Sequence, residues 1–423
     1  MTQLTAFVQE HISDDLTRLI LDRKKWPDID MDLAVSCIQS RRKLKGKIKE
    51  WYDNPELVFP ASLSAEQCSS SATGLYKAGV AEMIVGKGAR IADLTGGLGV
   101  DSWYFSKVAE SVLYNEMQET LCTAAVHNFK SLSADNIIVS NLKIETGSSE
   151  FHKIIEEFRP ELIYMDPARR GEGGKKVFLI EDCTPDVLTL REELFAMSRH
   201  ILIKLSPMAD ISMVCSRLGK TCREVHVVAT GGECKELLIW MDREWCGEYK
   251  IVAMELPSGY PETEPATFSF TSSEEKIATA LTWPRNDVMM SSRAESRDLP
   301  HGFLFEPGKA LMKAGCFNLI AEHFGLLKMG ISTHYYVTEE ETKADMLKSY
   351  GKVYKIISSA PLDKRSIKAA GKEYPHAEVT ARNIPMDTET LRKKLGVTSG
   401  DDAHIFGLKS DTLGNLLIIT RRW

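Results

Sequence analysis

The spacing of apolar residues divides the chain into a helical region and a strand-rich region. Over residues 1–60, apolar positions such as Leu16, Leu19 and Ile20 recur at near-helical spacing, which predicts a helical N-terminal region. From Ala89 onward, short apolar runs alternate with longer helical windows. This alternation is typical of a parallel sheet that is covered by helices on both faces.

The apolar runs after Ala89 predict the strands of this sheet. Four of them are Arg90-Ile91-Ala92, Val112-Leu113-Tyr114, Leu162-Ile163-Tyr164-Met165 and Ile201-Leu202-Ile203. Two further runs, Val225–Ala229 and Leu237–Trp240, are separated only by Thr230–Glu236, which is too short for a crossover helix. We expect these two to form an antiparallel hairpin. The predicted fold class is α/β, a Rossmann-like sheet that ends in an antiparallel hairpin.

The C-terminal half has a different pattern. Residues 257–300 are rich in Pro, Ser, Thr and Glu and include a strand-like run at Ala266–Phe270, which indicates a small separate domain. From about Ile331 to Trp423, short strands are mixed with a helical segment near Thr388–Lys394, which predicts an α+β unit. The expected parts are a helical N-terminal region (1–60), the Rossmann-like domain (61–247), a small domain (248–330) and a C-terminal domain (331–423).

Composition narrows the class of protein. With 423 residues, 43% of them hydrophobic, the chain can form two or three domains that each bury a core. Its nine cysteines are scattered without a C-x-x-C pair, so we expect free thiols and no metal site. The N-terminus lacks the pattern of a signal peptide, and no apolar stretch approaches the roughly 20 residues that span a bilayer. We therefore expect a cytoplasmic protein without a membrane segment; the sequence does not indicate its oligomeric state.

Charge is distributed unevenly along the chain. The net charge of -6 argues against a protein that coats nucleic acid over its whole surface. However, Arg41–Lys49 contains six cations and no anion, and Lys343–Lys394 contains twelve cations and six anions. Each stretch is either a solvated helix face or a surface that contacts nucleic acid.

A glycine-rich turn follows the first predicted strand, with the sequence Asp93-Leu94-Thr95-Gly96-Gly97-Leu98-Gly99-Val100-Asp101. Glycines let the backbone turn tightly and approach a ligand closely. Glu116, nineteen positions after Gly97, could hold the ribose of either NAD or S-adenosyl-L-methionine. The carboxylate of Asp93 would attract the ammonium of a methionine moiety and repel a pyrophosphate, which favours S-adenosyl-L-methionine. The predicted cofactor-binding residues are Asp93, Thr95, Gly97, Gly99, Asp101 and Glu116.

A second polar motif, Tyr164-Met165-Asp166-Pro167-Ala168-Arg169-Arg170, follows the run that begins at Leu162. Carboxyl ends of parallel strands face the ligand crevice, so Asp166 is predicted to enter the site, with Pro167 fixing the backbone beyond it. The alternative is that Asp166 is a helix N-cap. Arg169 and Arg170 either bind a substrate phosphate or pair with neighbouring carboxylates on the surface.

These motifs resemble those of the class I RNA methyltransferases. That family has a D-x-x-x-G-x-G turn, an acidic residue at the end of the second strand and a D-P or N-P motif after the fourth. The resemblance covers Ala89 to Met241. It implies that Asp93, Gly97 and Gly99 line the methionine end of the cofactor, that Glu116 binds the ribose hydroxyls, and that Asp166 stands beside the target atom.

The C-terminal sequence makes the resemblance narrower. Phe303–Gly315, Ala381–Met386 and Leu391–Leu395 look like a bacterial subfamily with a ferredoxin-like insert and a THUMP-like C-terminal domain. THUMP domains bind RNA in other RNA-modifying enzymes, so the resemblance implies tRNA or rRNA as substrate and partner. The candidate substrate-binding residues of this region are Arg382, Arg392, Lys393 and Lys394.

Two departures from the family pattern restrict the chemistry. Methyltransferases that act on amino groups usually continue the motif as Pro-Pro-aromatic, so that a ring stacks on the flipped base. Here the first proline is present as Pro167, but Ala168-Arg169 replaces the second proline and the aromatic residue. Methylation of pyrimidine C5 needs a cysteine nucleophile, and Lys204-Leu205-Ser206-Pro207 at the end of the fifth strand contains none. Ring-nitrogen, amine and ribose methylation therefore stay open.

Three further alternatives remain open from the sequence. The polar stretch Glu66–Lys77 is either a lid that touches the ligand or a solvated linker helix. An NAD-dependent oxidoreductase could be built on a related sheet. A catalytically degenerate fold that serves as an RNA-binding or assembly protein is the third.

Overall fold

From Arg90 to Asp242, strands and helices alternate along the chain, as the apolar pattern predicts. The computed structural model describes residues 2–169, 179–274, 276 and 298–423. The chain divides into two compact units. The first unit comprises Met1–Val225 and Glu236–Tyr249, and the second comprises His226–Lys235 and Lys250–Trp423.

The helices of the first unit are α1 (Thr2–Glu10), α2 (Leu16–Leu21), α3 (Met31–Leu44), α4 (Lys49–Asp53), α5 (Ser62–Gln67), α6 (Ser71–Val85), α7 (Val100–Phe105), α8 (Glu119–Ser131), α9 (Ser149–Phe158), α10 (Val187–Met197) and α11 (Ile211–Leu218). The strands up to Asp242 are β1 (Arg90–Asp93), β2 (Ser111–Asn115), β3 (Ile137–Ser140), β4 (Leu162–Met165), β5 (Ala168–Arg169), β6 (Cys183–Thr184), β7 (His200–Leu205), β8 (Cys222–Thr230) and β9 (Glu233–Asp242). The helical N-terminal region is thereby confirmed.

The cations of the first basic stretch support the fold of the helical region. Arg41 is only 4% exposed, and its guanidinium donates hydrogen bonds to the carbonyl oxygens of Tyr52, Asn54 and Leu57. Arg42 likewise donates to backbone carbonyls of the preceding loop. Arg41 thereby holds the chain path between α4 and α5, and Arg42 holds the path between α1 and α2.

The sheet of the first unit has the strand order β9-β7-β4-β1-β2-β3. The ladders between β3, β2, β1, β4 and β7 are parallel, whereas β7 pairs with β9 antiparallel. The chain proceeds outward from β1 to β3 and then returns to the other side of β1 with β4. This reversal creates a crevice at the carboxyl ends of β1 and β4, where open α/β sheets bind ligands.

The predicted terminal hairpin is formed by β8 and β9, which confirms this part of the fold class. Its loop is Gly231–Gly232, and both residues have positive φ angles, of 61° and 79°. A two-residue turn with two positive φ values matches the twist of the flanking strands, and glycine adopts it without strain. The predicted strands did not include β3, a partly exposed strand at one end of the sheet.

The second unit contains the helices α12 (Lys309–Ala314), α13 (Phe317–Phe324), α14 (Glu341–Leu347), α15 (Lys364–Glu373) and α16 (Thr388–Leu395). Its strands are β10 (Lys250–Leu256), β11 (Ala266–Thr271), β12 (Phe303–Pro307), β13 (Leu327–Lys328), β14 (Tyr336–Thr338), β15 (Gly351–Pro361), β16 (His376–Arg382), β17 (Thr398–Ser410) and β18 (Gly414–Arg422). The predicted strand at Ala266–Phe270 and the predicted helix near Thr388–Lys394 are both confirmed.

A seven-stranded sheet runs through the second unit in the order β13-β14-β12-β15-β18-β17-β16. Helices α15 and α16 pack on β16, β17 and β18 through a core that includes Ile367, Leu391 and Ile405. The two helices approach closely at Gly371, where an added Cβ would lie 1.8 Å from the carbonyl oxygen of Leu395. The apolar residues of α15 and α16 face this core, so their Lys and Arg residues are left on the outer face.

Candidate active site

A cavity of about 260 Å³ lies at the carboxyl ends of the parallel strands in the first unit. The predicted residues Asp93, Thr95, Gly97, Asp101 and Glu116 line it. Asp166 and Ala168 line it from the end of β4, whereas Gly99 and Pro167 are not among its lining residues. The fold thus brings the two sequence motifs together at the crevice that the strand order creates.

The glycine turn has the conformation that its sequence requires. Gly97 has a φ of 54° and lines the cavity, and Gly99 has a φ of 88°. An added Cβ at Gly99 would lie 2.5 Å from the ring of Phe129, so this glycine serves the packing of the turn on α8. Both positions therefore need glycine for backbone conformation, and Gly99 needs it for space as well.

Glu116 is 8% exposed and lies just after β2. Its Oε2 accepts a hydrogen bond from the backbone N–H of Gly97 at 3.0 Å, and its Oε1 accepts one from the N–H of Gln118 at 2.9 Å. A carboxylate oxygen can accept two hydrogen bonds, so each oxygen keeps capacity for a ligand hydroxyl. The same contacts fix the carboxylate against the glycine turn.

Asp93 is almost fully buried, with 1% of its surface exposed. Its carboxylate accepts hydrogen bonds from the N–H of Thr95 and the hydroxyl of Ser102, at 3.1 and 2.6 Å. Burial raises the pKa of Asp93 to about 7, more than these hydrogen bonds lower it, and the nearby charge of Asp101 raises it further. A cation in the cavity would stabilise the ionised form.

Asp166 is fixed by a contact between two loops. Its backbone N–H donates to the hydroxyl of Thr95 at 2.6 Å, which joins the end of β4 to the glycine turn. Its side chain is 37% exposed and forms an ion pair with Lys204, at the carboxyl end of β7. The chain continues from Asp166 into strand β5 at Ala168, and no helix begins there, so the alternative of a helix N-cap is wrong.

A buried ion network lies behind this pair, and its central cation is Lys77 on α6. Lys77 has no exposed surface, and its Nζ donates to Ser69 Oγ at 2.9 Å and to Glu236 Oε1 at 2.8 Å. Its Nζ also lies 3.3 Å from Asp101 Oδ1. Asp101 Oδ2 in turn accepts hydrogen bonds from Ser69 and from the hydroxyl of Tyr164. Asp101 therefore has a place in this network as well as at the cavity wall.

The charges of this network act on one another strongly because they are buried. Burial alone lowers the pKa of Lys204, but the charges of Asp166, Glu236 and Asp101 outweigh it and raise that pKa. Burial likewise tends to raise the pKa of Asp101, but Lys77 and Lys204 bring it below its ordinary value. In contrast, burial keeps the pKa of Glu236 raised. Lys204 thus stays an ammonium beside Asp166.

Sequence reasoning missed Lys77, Lys204 and Glu236 as site residues. Lys204 had a signal, because it interrupts the apolar run of β7 at the strand end that faces the crevice. Glu236 opens the buried part of β9, which is also visible as a charge directly before an apolar run. No signal in the sequence marked Lys77 as a site residue, because a lysine in a helix is ordinarily solvated.

The stretch Glu66–Lys77 contains residues that line the cavity and the start of a helix. Gln67, Cys68 and Ser69 line the cavity, as a segment in contact with a ligand would. The remainder begins α6, where Ser70 and Thr73 form a capping box that fixes the start of the helix. The helix is not a solvated linker, because it carries the buried Lys77.

The predicted substrate-binding residues are found in different surroundings. Arg170 and the side chain of Arg169 lie outside the described residues. Arg382 is exposed at the end of β16, and Lys393 and Lys394 are exposed on α16. The side chain of Arg392 is 24% exposed, and its guanidinium lies 3.8 Å from Glu378 and 3.7 Å from Glu389. These four C-terminal residues belong to the second unit.

The described part of the chain contains no group of three or more His, Cys, Asp or Glu side chains that could hold a metal ion. Within the same residues, no helix is both long and apolar enough to cross a membrane.

Comparison with known proteins identifies two C-terminal domains. Residues 303–344 match the model of a ferredoxin-like domain, and residues 351–422 match that of a THUMP-like domain. No curated protein sequence matches the chain significantly. A candidate methyltransferase from Porphyromonas gingivalis W83 has the same fold, with a TM-score of 0.80 and 28% sequence identity, over 99% of this chain and 97% of that one.

The whole chain has a methyltransferase fold with a THUMP-like C-terminal domain. The predicted fold class is confirmed. Two other structures match only part of the chain, and their likeness to it is weak. An rRNA methylase from Streptococcus thermophilus has a TM-score of 0.29 and 10% identity, over 40% of this chain and 93% of its own. A candidate methyltransferase from Streptococcus mutans, in complex with SAH, has a TM-score of 0.28 and 12% identity, over 40% of this chain and 95% of its own.

The buried network gives a prediction about stability. Lys77→Met removes the cation and leaves Glu236 and Asp101 without their buried partner, so the free energy of unfolding should fall by about 3 to 5 kcal/mol. Lys87→Met, an exposed lysine beyond the same helix, is the matched control and should change it by less than about 0.5 kcal/mol. Urea denaturation of both full-length variants measures the difference. Equal midpoints would mean that the network does not stabilise the unit.

Proposed function

We propose that this protein transfers a methyl group from S-adenosyl-L-methionine to a nucleotide in tRNA or rRNA. The observation that carries the proposal is the convergence of Asp93, Glu116 and Asp166 on one cavity, from the ends of β1, β2 and β4. The methyltransferase fold of the whole chain supports methyl transfer, and the THUMP-like domain supports an RNA substrate.

The residues of the cavity fit the chemistry of this cofactor. Asp93 is a buried carboxylate without a cationic partner in the hydrogen bonds that it forms, which suits the methionine ammonium. Glu116 keeps acceptor capacity for the two ribose hydroxyls. Gly97 leaves open space at the cavity wall, where an added Cβ would have no atom closer than 4.0 Å. When bound, S-adenosyl-L-methionine supplies a methyl group on a positively charged sulfur.

Asp166 is the residue that we place beside the acceptor. It is the most exposed carboxylate of the ion network. Its backbone N–H is held by Thr95, and the next residue, Pro167, has a φ angle that its own ring fixes. A carboxylate in this position orients the attacking group and accepts its proton. Most of the acceleration would come from positioning. Arg169 and Arg170, directly after this motif, are proposed to bind a substrate phosphate.

The two alternative functions have less support from the site. An NAD-dependent oxidoreductase would place a pyrophosphate near the glycine turn, where the carboxylate of Asp93 would repel it. A degenerate RNA-binding protein would not need Asp93, Glu116 and Asp166 to converge on one cavity.

We propose that the exposed basic face of α15 and α16 docks RNA. These helices bury their apolar residues in the unit core and expose Lys364, Arg365, Lys368 and Lys372 on α15, and Lys393 and Lys394 on α16. Arg382 at the end of β16 adds a further exposed cation. A cluster of this kind binds phosphates through counterion release.

The division of the chain into four parts, 1–60, 61–247, 248–330 and 331–423, remains our proposal for its domains. A cytoplasmic location is also proposed, because the scattered cysteines suit a reducing compartment.

Calorimetry tests the cofactor and the role of Glu116 together. The full-length protein should bind S-adenosyl-L-methionine and not NAD. Glu116→Ala should weaken that binding about tenfold or more, because it removes charge-assisted hydrogen bonds worth about 1.5 to 3 kcal/mol. Glu119→Ala, an exposed glutamate at the start of α8, is the control and should leave the dissociation constant unchanged.

Each contrary result has a separate meaning. Binding of NAD alone would support the oxidoreductase, and binding of neither would support the degenerate module. Binding of S-adenosyl-L-methionine with the same affinity in Glu116→Ala would reject only the assignment of that residue.

The pKa of Asp93 predicts how cofactor binding depends on pH. Its pKa is raised to about 7, so folding loses stability from this group as the pH rises from about 4 through 7. A bound ammonium favours the ionised carboxylate, so affinity for S-adenosyl-L-methionine should fall by up to about tenfold per pH unit below 7. Asp93→Asn should lower the affinity at pH 8 and abolish this dependence. If affinity depends on pH in the same way in the unaltered protein and in Asp93→Asn, Asp93 does not contact the ammonium of the cofactor.

RNA docking is tested by charge reversal in the full chain. Lys393→Glu with Lys394→Glu should weaken binding of total tRNA and make that binding less sensitive to salt. The salt slope should decrease by about 0.7 to 1 for each phosphate that the variant no longer neutralises. Arg392 is left intact because its guanidinium lies near Glu378 and Glu389.

The matched control for this test reverses two exposed lysines of the first unit, with Lys130→Glu and Lys220→Glu. It changes the net charge of the protein equally. We expect both double variants to bind S-adenosyl-L-methionine normally. If both lose the same RNA affinity, the effect is one of net charge and the docking role of α16 is rejected.

A further inference from the structure

The ion pair of Asp166 and Lys204 places one hydrogen-bond acceptor and one donor side by side at the cavity. Asp166 lines the cavity, whereas Lys204 is not among the lining residues but pairs with Asp166 from the neighbouring strand end of β7. The lysine side chain is 13% exposed and the aspartate is 37% exposed, so the pair lies at the boundary between the buried network and the cavity. A substrate group that approaches Asp166 to receive the methyl therefore also lies near the ammonium of Lys204.

We infer that the methyl group is transferred to a hydroxyl oxygen, the ribose 2′-hydroxyl of the RNA. This inference rests on the proposed function and specifies its target atom. It follows from matching the donors and acceptors of the pair to those of the groups that RNA offers.

A hydroxyl matches the pair completely. It has one O–H donor and two lone pairs, so it can donate its proton to Asp166, accept a hydrogen bond from Lys204 and still attack with the second lone pair. An exocyclic amine has two N–H donors and one lone pair. Hydrogen bonding to Lys204 would occupy the lone pair that must attack, and the second N–H would have no acceptor in the pair.

A ring N–H beside a carbonyl also offers one donor and one acceptor, but a base needs a surface on which to stack. The aromatic position of the Asp-Pro-Pro-aromatic motif is occupied by Arg169, and none of the described residues that line the cavity is aromatic. The polar residues Ser64 and Gln67 line the described wall, which suits a sugar edge. These residues favour the ribose over the base.

The step balances with the residues present. A lone pair of the 2′-oxygen forms the new O–C bond while the C–S bond breaks, and the bonding pair returns to the sulfur, which becomes neutral. The hydroxyl proton passes to Asp166, whose exposed carboxylate can release it to solvent. Lys204 donates a hydrogen bond to the 2′-oxygen and stabilises the negative charge that develops as the proton leaves.

Lys77, Glu236 and Asp101 act on this step through Lys204. Glu236 and Asp101 are fixed by the ammonium of Lys77, and their charges favour the ammonium form of Lys204. They are positioning residues, because they act on the transfer only through the charge and the position of Lys204.

The position of the methyl group can be read directly. The full-length protein is incubated with S-adenosyl-L-methionine labelled in the methyl group and with total RNA from a strain that lacks the gene. Alkaline hydrolysis cannot cleave next to a methylated 2′-oxygen, so the label should remain in alkali-resistant dinucleotides. Mass spectrometry of the nucleosides should find the added methyl on the sugar fragment.

The outcomes separate the inference from the proposed function. Label on a base would overturn the inference and leave RNA methylation intact. No label in any RNA, from a protein that binds S-adenosyl-L-methionine in calorimetry, would overturn both.

Variants of Lys204 test its part in the step. Lys204→Met should reduce turnover about 100-fold or more while the dissociation constant of S-adenosyl-L-methionine stays within about twofold of that of the unaltered protein. Lys204→Arg keeps the charge and should recover part of the turnover. The exposed Lys220→Met is the control and should behave as the unaltered protein.

Full turnover in Lys204→Met would overturn the role of the ammonium. If Lys204→Met does not fold, Lys204→Arg and the position of the methyl group still decide the inference.

Discussion

The ammonium of Lys77 has no exposed surface, so the folded chain must supply its counter-charge and its hydrogen-bond partners. Desolvating an ammonium costs several kcal/mol unless the geometry of its partners is nearly ideal. Glu236 and Ser69 accept hydrogen bonds from Lys77, and Asp101 adds a second counter-charge; they come from the start of β9, the loop before α6 and the start of α7. Segments far apart in the sequence therefore have to reach their places together, and the candidate active site lies against them.

Hydrogen bonds between loops complete the site. Thr95 accepts the N–H of Asp166, and Glu116 accepts the N–H of Gly97, so the ends of β1, β2 and β4 are joined directly. Under the function that we propose, such rigidity helps to align a methyl donor with an acceptor, because small errors in position cost much of the rate. The same bonds explain why a short glycine turn can be placed accurately although glycine alone is permissive.

The two basic stretches have different roles in the structure. Arg41 turns inward and satisfies the carbonyl groups between α4 and α5. In contrast, the cations of α15 and α16 lie opposite a buried apolar face and stay exposed. A count of charges cannot separate these cases, because an arginine is equally able to bind a phosphate or a set of backbone carbonyls.

The fold class, the terminal hairpin, and the glycine-turn and Asp166 motifs that line the cavity could all be predicted from the amino-acid sequence. These features are local, because hydrophobic periodicity and turn residues act over a few positions. Which charges are buried depended instead on how the chain packs. Lys77 and Glu236 are 159 positions apart in the chain, and Lys204 and Asp166 are 38 apart. A charged residue in a helix or at a strand end looks solvated until the sheet brings its partner to it, since burial is a property of the packed chain.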